Sequence, residues 1–223
     1  MSMRNILIAG AVFGALATAS SGASAANLIL NGGFNNGGTV GAPGGGFSTL
    51  GVGSSVINNW NIDAGSIDWI VGYWQAADGD GYSIDLNGGS PAQISQTLST
   101  VAGQSYFLSF AMSGNPDNFR GETRVAVIGA GGSTIGTANY SLTAPNSLSN
   151  MLWQDRGFAF TADSSSTLIS FTSGNNTGNC CWGAAIDNVA VNAVPEPATW
   201  AMMIVGFGAA GSMIRRRSNA FAG

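Results

Sequence analysis

Four groups of side chains in this chain could bind or react: aromatic rings, carboxylates, two adjacent cysteines and a few arginines. Trp60, Trp69, Tyr73, Trp74, Tyr82 and Trp182 lie in or beside turn-rich stretches. A flat ring exposed there can cover the apolar side of a pyranose while polar neighbours hold its hydroxyls. Trp74 and Trp182 are the preferred pair, because each adjoins polar or glycine-rich sequence. Gln75, Asp85 and Arg120 are the candidate readers of hydroxyls. Asp78, Asp80 and Asp85 cluster as in acidic calcium loops, without the closing Glu of an EF-hand. A glycosidase needs two carboxyls about 5–10 Å apart. Asp68, Asp85, Asp117 and Glu122 offer themselves, and their spacing selects no pair. Cys180 and Cys181 are neighbours, so they form either a strained vicinal disulfide or bonds between copies.

Other chemistries are excluded by what is missing. The 223 residues contain no histidine and no lysine. Ser-His-Asp and Cys-His catalysis, histidine-ligated zinc, Schiff bases and a P-loop lysine are therefore ruled out.

The elements that must carry these residues are strands. Period-2 alternation marks Ala92–Leu98, Tyr106–Met112 and Thr167–Phe171 as strands with one buried face. Further short runs fall at Leu28–Leu30, Ile67–Tyr73, Tyr82–Leu86, Thr123–Ile128, Gly157–Thr161 and Ile186–Val191. Turn formers such as Asp78-Gly79-Asp80-Gly81, Asn87-Gly88-Gly89 and Gly114-Asn115-Pro116-Asp117 separate them. Gly32 to Gly53 reads as a long mobile loop. About nine short strands predict an all-β jelly-roll sandwich.

Both ends carry addresses. Residues 1–25 have the form of a secretory signal peptide: Arg4, an apolar run over Ile6–Ala19, and a small-residue site at Ala23-Ser24-Ala25 with the cut after Ala25. At the other end, Pro195-Glu196-Pro197 precedes an apolar run over Ala198–Ile214, with Trp200 at one edge and Arg215, Arg216 and Arg217 at the other. Such a run can just cross a thin bilayer as a hydrophobic helix, with the arginines on the cytoplasmic side. Residues 195–217 resemble the PEP-CTERM sorting signal, leaving 218–223 as a short cytoplasmic tail. That resemblance implies an exosortase-type processing enzyme and transient anchorage in the inner membrane. The alternative is a plain membrane anchor.

Between the ends, residues 26–194 hold ten acids and three arginines, a net charge of about −7. Nucleic acid needs a basic surface, so it is excluded as a partner.

Several segments in this part carry a family likeness. Asn27-Leu28-Ile29-Leu30-Asn31-Gly32-Gly33-Phe34, Ile94-Ser95-Gln96-Thr97-Leu98 and Ile186-Asp187-Asn188-Val189-Ala190-Val191 resemble strands of jelly-roll carbohydrate-binding modules. Gly65-Ser66-Ile67-Asp68-Trp69, Tyr73-Trp74-Gln75-Ala76-Ala77-Asp78-Gly79, Ser83-Ile84-Asp85-Leu86-Asn87-Gly88 and Ser113-Gly114-Asn115-Pro116-Asp117 resemble the choice-of-anchor C domain and its plant cell-wall relatives. The resemblance spans about residues 27–192. It implies a galactose-binding-like sandwich and, between first and last strands, a structural calcium whose matching positions are Asn35 and Asp187. Asn35 stands where those modules often have an acid.

These readings together predict an exported, non-catalytic protein that binds polysaccharide in the cell envelope or extracellular matrix. The rivals are a structural matrix or biofilm protein that binds other proteins, and a glycan hydrolase.

Overall fold

The computed structural model describes residues 26–38, 46–117, 123–142, 146–174, 181–195 and 202–212. The signal segment with Ala23 and Ala25 lies outside the described residues, as do Arg120, Cys180, Glu196, Pro197, Trp200 and Arg215 to Arg217.

Nine strands are present among the described residues: β1 (Phe47–Gly51), β2 (Asn61–Val71), β3 (Tyr82–Ser99), β4 (Ser105–Gly114), β5 (Thr123–Ala130), β6 (Ser133–Ser141), β7 (Gln154–Thr161), β8 (Ser166–Ser173) and β9 (Ala184–Ala193). They form a nearly closed sheet in the order β6-β5-β8-β3-β9-β4-β7, with β2 beside β3 and β1 beside β2. All pairings are antiparallel. A helix, α1 (202–212), follows. Among the described residues no helix is long and apolar enough to cross a membrane.

The 18-residue β3 organises the rest. One of its edges pairs with β2 along both halves. Its other edge pairs with β9 at Ile84 and Asp85, then with β8 from Gln93 to Ser99. The strand therefore starts in one layer of the sandwich and ends in the other. Alternation keeps Ile84, Leu86, Ala92, Ile94 and Leu98 buried in the main core throughout. Ile67 and Trp69 of β2, Leu108 and Phe110 of β4, and Ile169 and Phe171 of β8 belong to the same core, with Trp69 paired beside Ile84 and Phe171 beside Ile94.

The sequence signals fail at four places, each for a physical reason. Asn87-Gly88-Gly89 lies inside β3 and makes no hairpin. A Cβ on Gly88 would sit 2.9 Å from the Ile67 carbonyl, so this glycine serves close strand approach. β1 lies inside the stretch expected to be a loop, and β6 joins the sheet without having been anticipated. Leu28–Leu30 is no strand. The Leu28 N–H bonds the Val191 carbonyl (2.9 Å), while the Gln96 side chain serves both the N–H and the carbonyl of Leu30. The N-terminal turn that follows is pinned by indoles. Trp60 Nε1 donates to the Asn31 carbonyl and Trp69 Nε1 to that of Phe34, each at 2.9 Å.

Where β2 bends with β3, its register shifts at Ala64 and Ser66. Gly65 between them has φ +61°, and a Cβ there would lie 2.0 Å from the Pro91 carbonyl oxygen. Gly53 has φ +79° with nothing within 4 Å. Gly65→Ala is expected to cost at least about 2 kcal/mol more than Gly53→Ala in chemical denaturation, because only the first adds a backbone clash to left-handed strain. Equal losses would show that the crossing does not depend on this glycine.

Candidate functional site

Because Ile67 and Trp69 fill the core, Asp68 and Ile70 of β2 must point to the opposite face. The same holds for Ser83 and Asp85 of β3, whose neighbours Ile84 and Leu86 are core residues. The register then sets Asp68 directly across from Asp85. Two segments fold over this outer face. Ile70, Trp74, Met151 and Ala185 form a second apolar cluster there, joined by Phe47, Tyr73 and Trp153.

Gln75 clips the two segments together. Its N–H donates to the Leu148 carbonyl (2.8 Å), its Oε1 accepts the Met151 N–H (3.1 Å), and its carbonyl accepts Trp153 Nε1 (2.9 Å). Asn146 Nδ2 bonds the Gly114 carbonyl (2.6 Å) and Ser113 Oγ (3.0 Å), tying the second segment to β4.

Beside this cluster opens a cavity of about 250 Å³. Aromatic walls come from Phe47, Tyr73 and Trp182, and Asp68, Asn115 and Asp117 are its polar groups. Thr49 Oγ1 donates to Asp68 Oδ1. Tyr73 OH donates to Asp117 Oδ2 (2.8 Å). Asn115 Nδ2 spans Asp85 Oδ2 (2.7 Å) and the Cys181 carbonyl (3.0 Å), while its Oδ1 accepts the Asp117 N–H (2.9 Å). Asp85 itself is wholly buried. Its Oδ1 accepts the Asn87 N–H (2.8 Å), and a Cβ on Gly183 would lie 2.2 Å from that oxygen. Burial pushes the Asp85 carboxyl up to about 7, against the bonds from Asn115, Asn87 and Gly183, with the facing Asp68 adding to the rise. Burial also raises Asp68, opposed by the Thr49 hydroxyl. Among the described residues both amide atoms of the buried Asn87 lack a hydrogen-bond partner.

The sequence candidates divide here. Trp182 and Cys181 line the cavity and are half-buried. Trp74 is 4% exposed, with its indole N–H on Ser83 Oγ (2.8 Å). It is floor and core and no open platform, and the adjacent Tyr73 is the half-buried ring that lines the cavity. Gln75 positions loops, since its amide oxygen and both main-chain groups are engaged. Asp85 lies behind Asn115 instead of at the surface. Arg120 is outside the described residues. Cys181 is disulfide-bonded, and Cys180 lies outside the described residues. Tyr73 is one of the six candidate rings but not of the preferred pair, Asp68 is weighed only as a catalytic carboxyl, and Asn115 is not singled out.

A second locus gathers the acids proposed for calcium. Asn35 Nδ2 donates to Asp80 Oδ2 (2.8 Å). Asp187 is buried, and its carboxylate accepts the Ala77 N–H (2.8 Å) and the Asn188 N–H (2.7 Å). Burial pushes Asp187 up to about 7, opposed by those amides, with the charges of Asp78 and Asp80 adding a smaller rise. The two expected calcium positions thus neighbour one another, with Asp85 elsewhere. Among the described residues no group of three or more acids or cysteines is arranged to hold a metal ion. Several of the oxygens are already taken by backbone amides, since Asp78 Oδ1 holds the Asp80 N–H and Asp80 Oδ1 the Tyr82 N–H.

Residues 27–192 match the family described as "Protein of unknown function (DUF642)", and residues 193–217 match the PEP-CTERM protein-sorting motif. The likeness to plant cell-wall relatives and to the sorting signal is thus borne out, under the family description DUF642 and without the choice-of-anchor C label. Halomucin of Haloquadratum walsbyi is 30% identical over 193 residues, which is 86% of this chain. The chain spans about 2% of the length of that curated relative. Among solved structures, the CBM22-1 xylan-binding domain of Paenibacillus barcinonensis Xyn10C is similar at TM-score 0.47 and 12% identity, over 78% of this chain and 97% of that one. A family 35 carbohydrate-binding module of Clostridium thermocellum is similar at TM-score 0.39 and 14% identity, over 65% and 97%.

The raised carboxyls fix a pH dependence. Well below about pH 4 Asp85 and Asp187 are protonated folded or unfolded. Between there and about 7 the unfolded chain ionises while Asp85 and Asp187 resist, so stability falls as pH rises and levels off above 7. The total loss is expected to be on the order of a few kcal/mol. Asp68→Asn, which removes the like charge facing Asp85, should shrink it. Melting temperatures from pH 4 to 8 check this, and a rise over that range would contradict it.

Proposed function

The chain belongs to the DUF642 family, and from that premise we propose that it is an exported, non-catalytic polysaccharide-binding protein of the cell envelope or extracellular matrix. The observation that carries this reading is the cavity on the outer face of β2 and β3. Aromatic rings and hydrogen-bonding side chains meet there around a space for one sugar ring. Tyr73 and Trp182 are the stacking faces. Asp68 and Asp117 hold hydroxyls, with Asn115, Asp85 and Gln75 as positioning residues behind them. The sorting motif over residues 193–217 supports export and exosortase-type processing at the inner membrane.

Affinity electrophoresis of the full chain through gels containing a panel of polysaccharides tests the reading. Retardation by at least one polymer is expected. Trp182→Ala and Tyr73→Ala should each weaken it about tenfold or more, the effect of losing roughly 1.4 kcal/mol of contact. No retardation on any gel would sink the proposal in favour of a protein-binding matrix component. Release of reducing ends that disappears in Asp68→Asn would replace it with a hydrolase.

Calcium is a separate proposal at Asn35, Asp78, Asp80 and Asp187. What supports it is that Asp187 is buried within reach of the charges of Asp78 and Asp80, and a bound cation would offset that charge. Millimolar calcium at pH 8 should raise the melting temperature of the parent chain and leave Asp187→Ala unmoved. An equal response of both chains to calcium and to chelator would remove the ion from this locus.

A further inference from the structure

Resting on that glycan-binding reading, we propose that the cavity selects an amino sugar, one whose free amine is protonated, over neutral sugars and uronic acids. The argument begins with a cost. Asp68 and Asp85 occupy directly paired positions on β2 and β3. Whenever both are ionised, like charges placed opposite one another destabilise a sheet. Asp117 adds a third carboxylate at the rim. The chain has no lysine or histidine to offset them, and among the described residues no arginine lines the cavity.

Asp68 is the group left open. It lines the cavity and is only 8% exposed. The Thr49 hydroxyl satisfies Oδ1, and among the described residues Oδ2 takes no hydrogen bond. Asp85, by contrast, is held by Asn115 and the backbone. A desolvated carboxylate with one free oxygen calls for a cationic donor.

The walls decide which cation. Phe47 and Tyr73 sit edge to face with ring centroids 5.1 Å apart, and Trp182 lines the same space. Aromatic faces attract an ammonium group, whereas a divalent ion needs six to eight oxygens. Ile70, another lining residue, offers none. The volume of about 250 Å³ is below that of pockets for drug-sized ligands and admits one ring. A uronic acid would bring a further carboxylate beside Asp68 and Asp117, which selects against it.

Calorimetry on the full chain at pH 6 and low salt tests the inference. The probes are glucosamine and galactosamine oligosaccharides, their N-acetylated forms, and oligogalacturonate. At least one amino form should bind about tenfold or more tighter than its N-acetylated form, and oligogalacturonate should not bind. Asp68→Asn should bring the ratio to within about twofold. It removes a buried like charge, so an unchanged or higher melting temperature will show that it folds. Asp163→Asn, on an exposed turn remote from the cavity, should leave the ratio intact and exclude an effect of net charge. If neither amino form binds tighter than its acetylated form, the inference is wrong; retardation on the polysaccharide gels would still leave the glycan-binding reading standing. Tighter binding of oligogalacturonate would also overturn it, and Arg120 would be the first residue to examine. Binding of no probe, with no retardation by any polysaccharide, would sink both.

Discussion

The β2–β3 pair belongs to both layers of the sandwich, and the close approach of two backbones makes that possible. An ordinary strand pair that long would run on as a twisted ribbon. Here Gly65 and Gly88 let the chains come within distances no side chain permits, and the pair turns while its ladder continues. Pairing on the far edge passes from β9 to β8 across the bend. The core can then be closed by one strand's alternation, and no separate hairpin is needed at that corner. The polar face of the same pair becomes the floor of the cavity, so the architecture and the site share one cause.

That arrangement has an energetic consequence. A core needs Ile84 and Leu86 inward, which commits Asp85 to the other face, and loops then bury that face. Donation from Asn115 and the Asn87 and Gly183 amides offsets part of the cost of burying that carboxyl. Asn115 also holds the Cys181 carbonyl and the Asp117 N–H, so one amide side chain links the buried acid, the disulfide-bonded segment and the rim. The side chains that form the site are therefore positioned by the same bonds that make a buried charge tolerable.

Much of the fold was legible because period-2 alternation is local. Tyr106–Met112 and Thr167–Phe171 announce their buried faces within seven residues or fewer, and both fall inside strands. What failed depends on distant partners. β1 has no alternation of its own worth reading and exists because β2 offers an edge. β6 is mostly exposed and gains its order from β5. Asn87-Gly88-Gly89 looks like a turn in every local respect, and only the presence of Ile67 beneath it shows a crossing. The site was half-legible for the same reason. Trp182 could be found by its setting among glycines, but Tyr73 and Trp74 are adjacent and nothing local says which one is covered. Asp68 was present as a carboxylate among several. The signal that would have raised it is its place between Ile67 and Trp69, matched by Asp85 between Ile84 and Leu86. Two acids each flanked by core residues on neighbouring strands must share the opposite face.

A cavity that admits one ring makes few contacts, and a single polymer end held there would dissociate quickly. On the glycan-binding reading, affinity must come from number. On that reading the sorting motif over residues 193–217 would gather copies at one surface, where linked copies would rebind a repeating polymer at high effective concentration. The net charge of about −7 on residues 26–194 fits that setting, because copies of like charge stay apart until a polymer bridges them. It also sets a condition on the polymer. A strongly anionic chain would be repelled by the whole domain before any ring reached the cavity, so long-range charge and the carboxylates of the site select in the same direction.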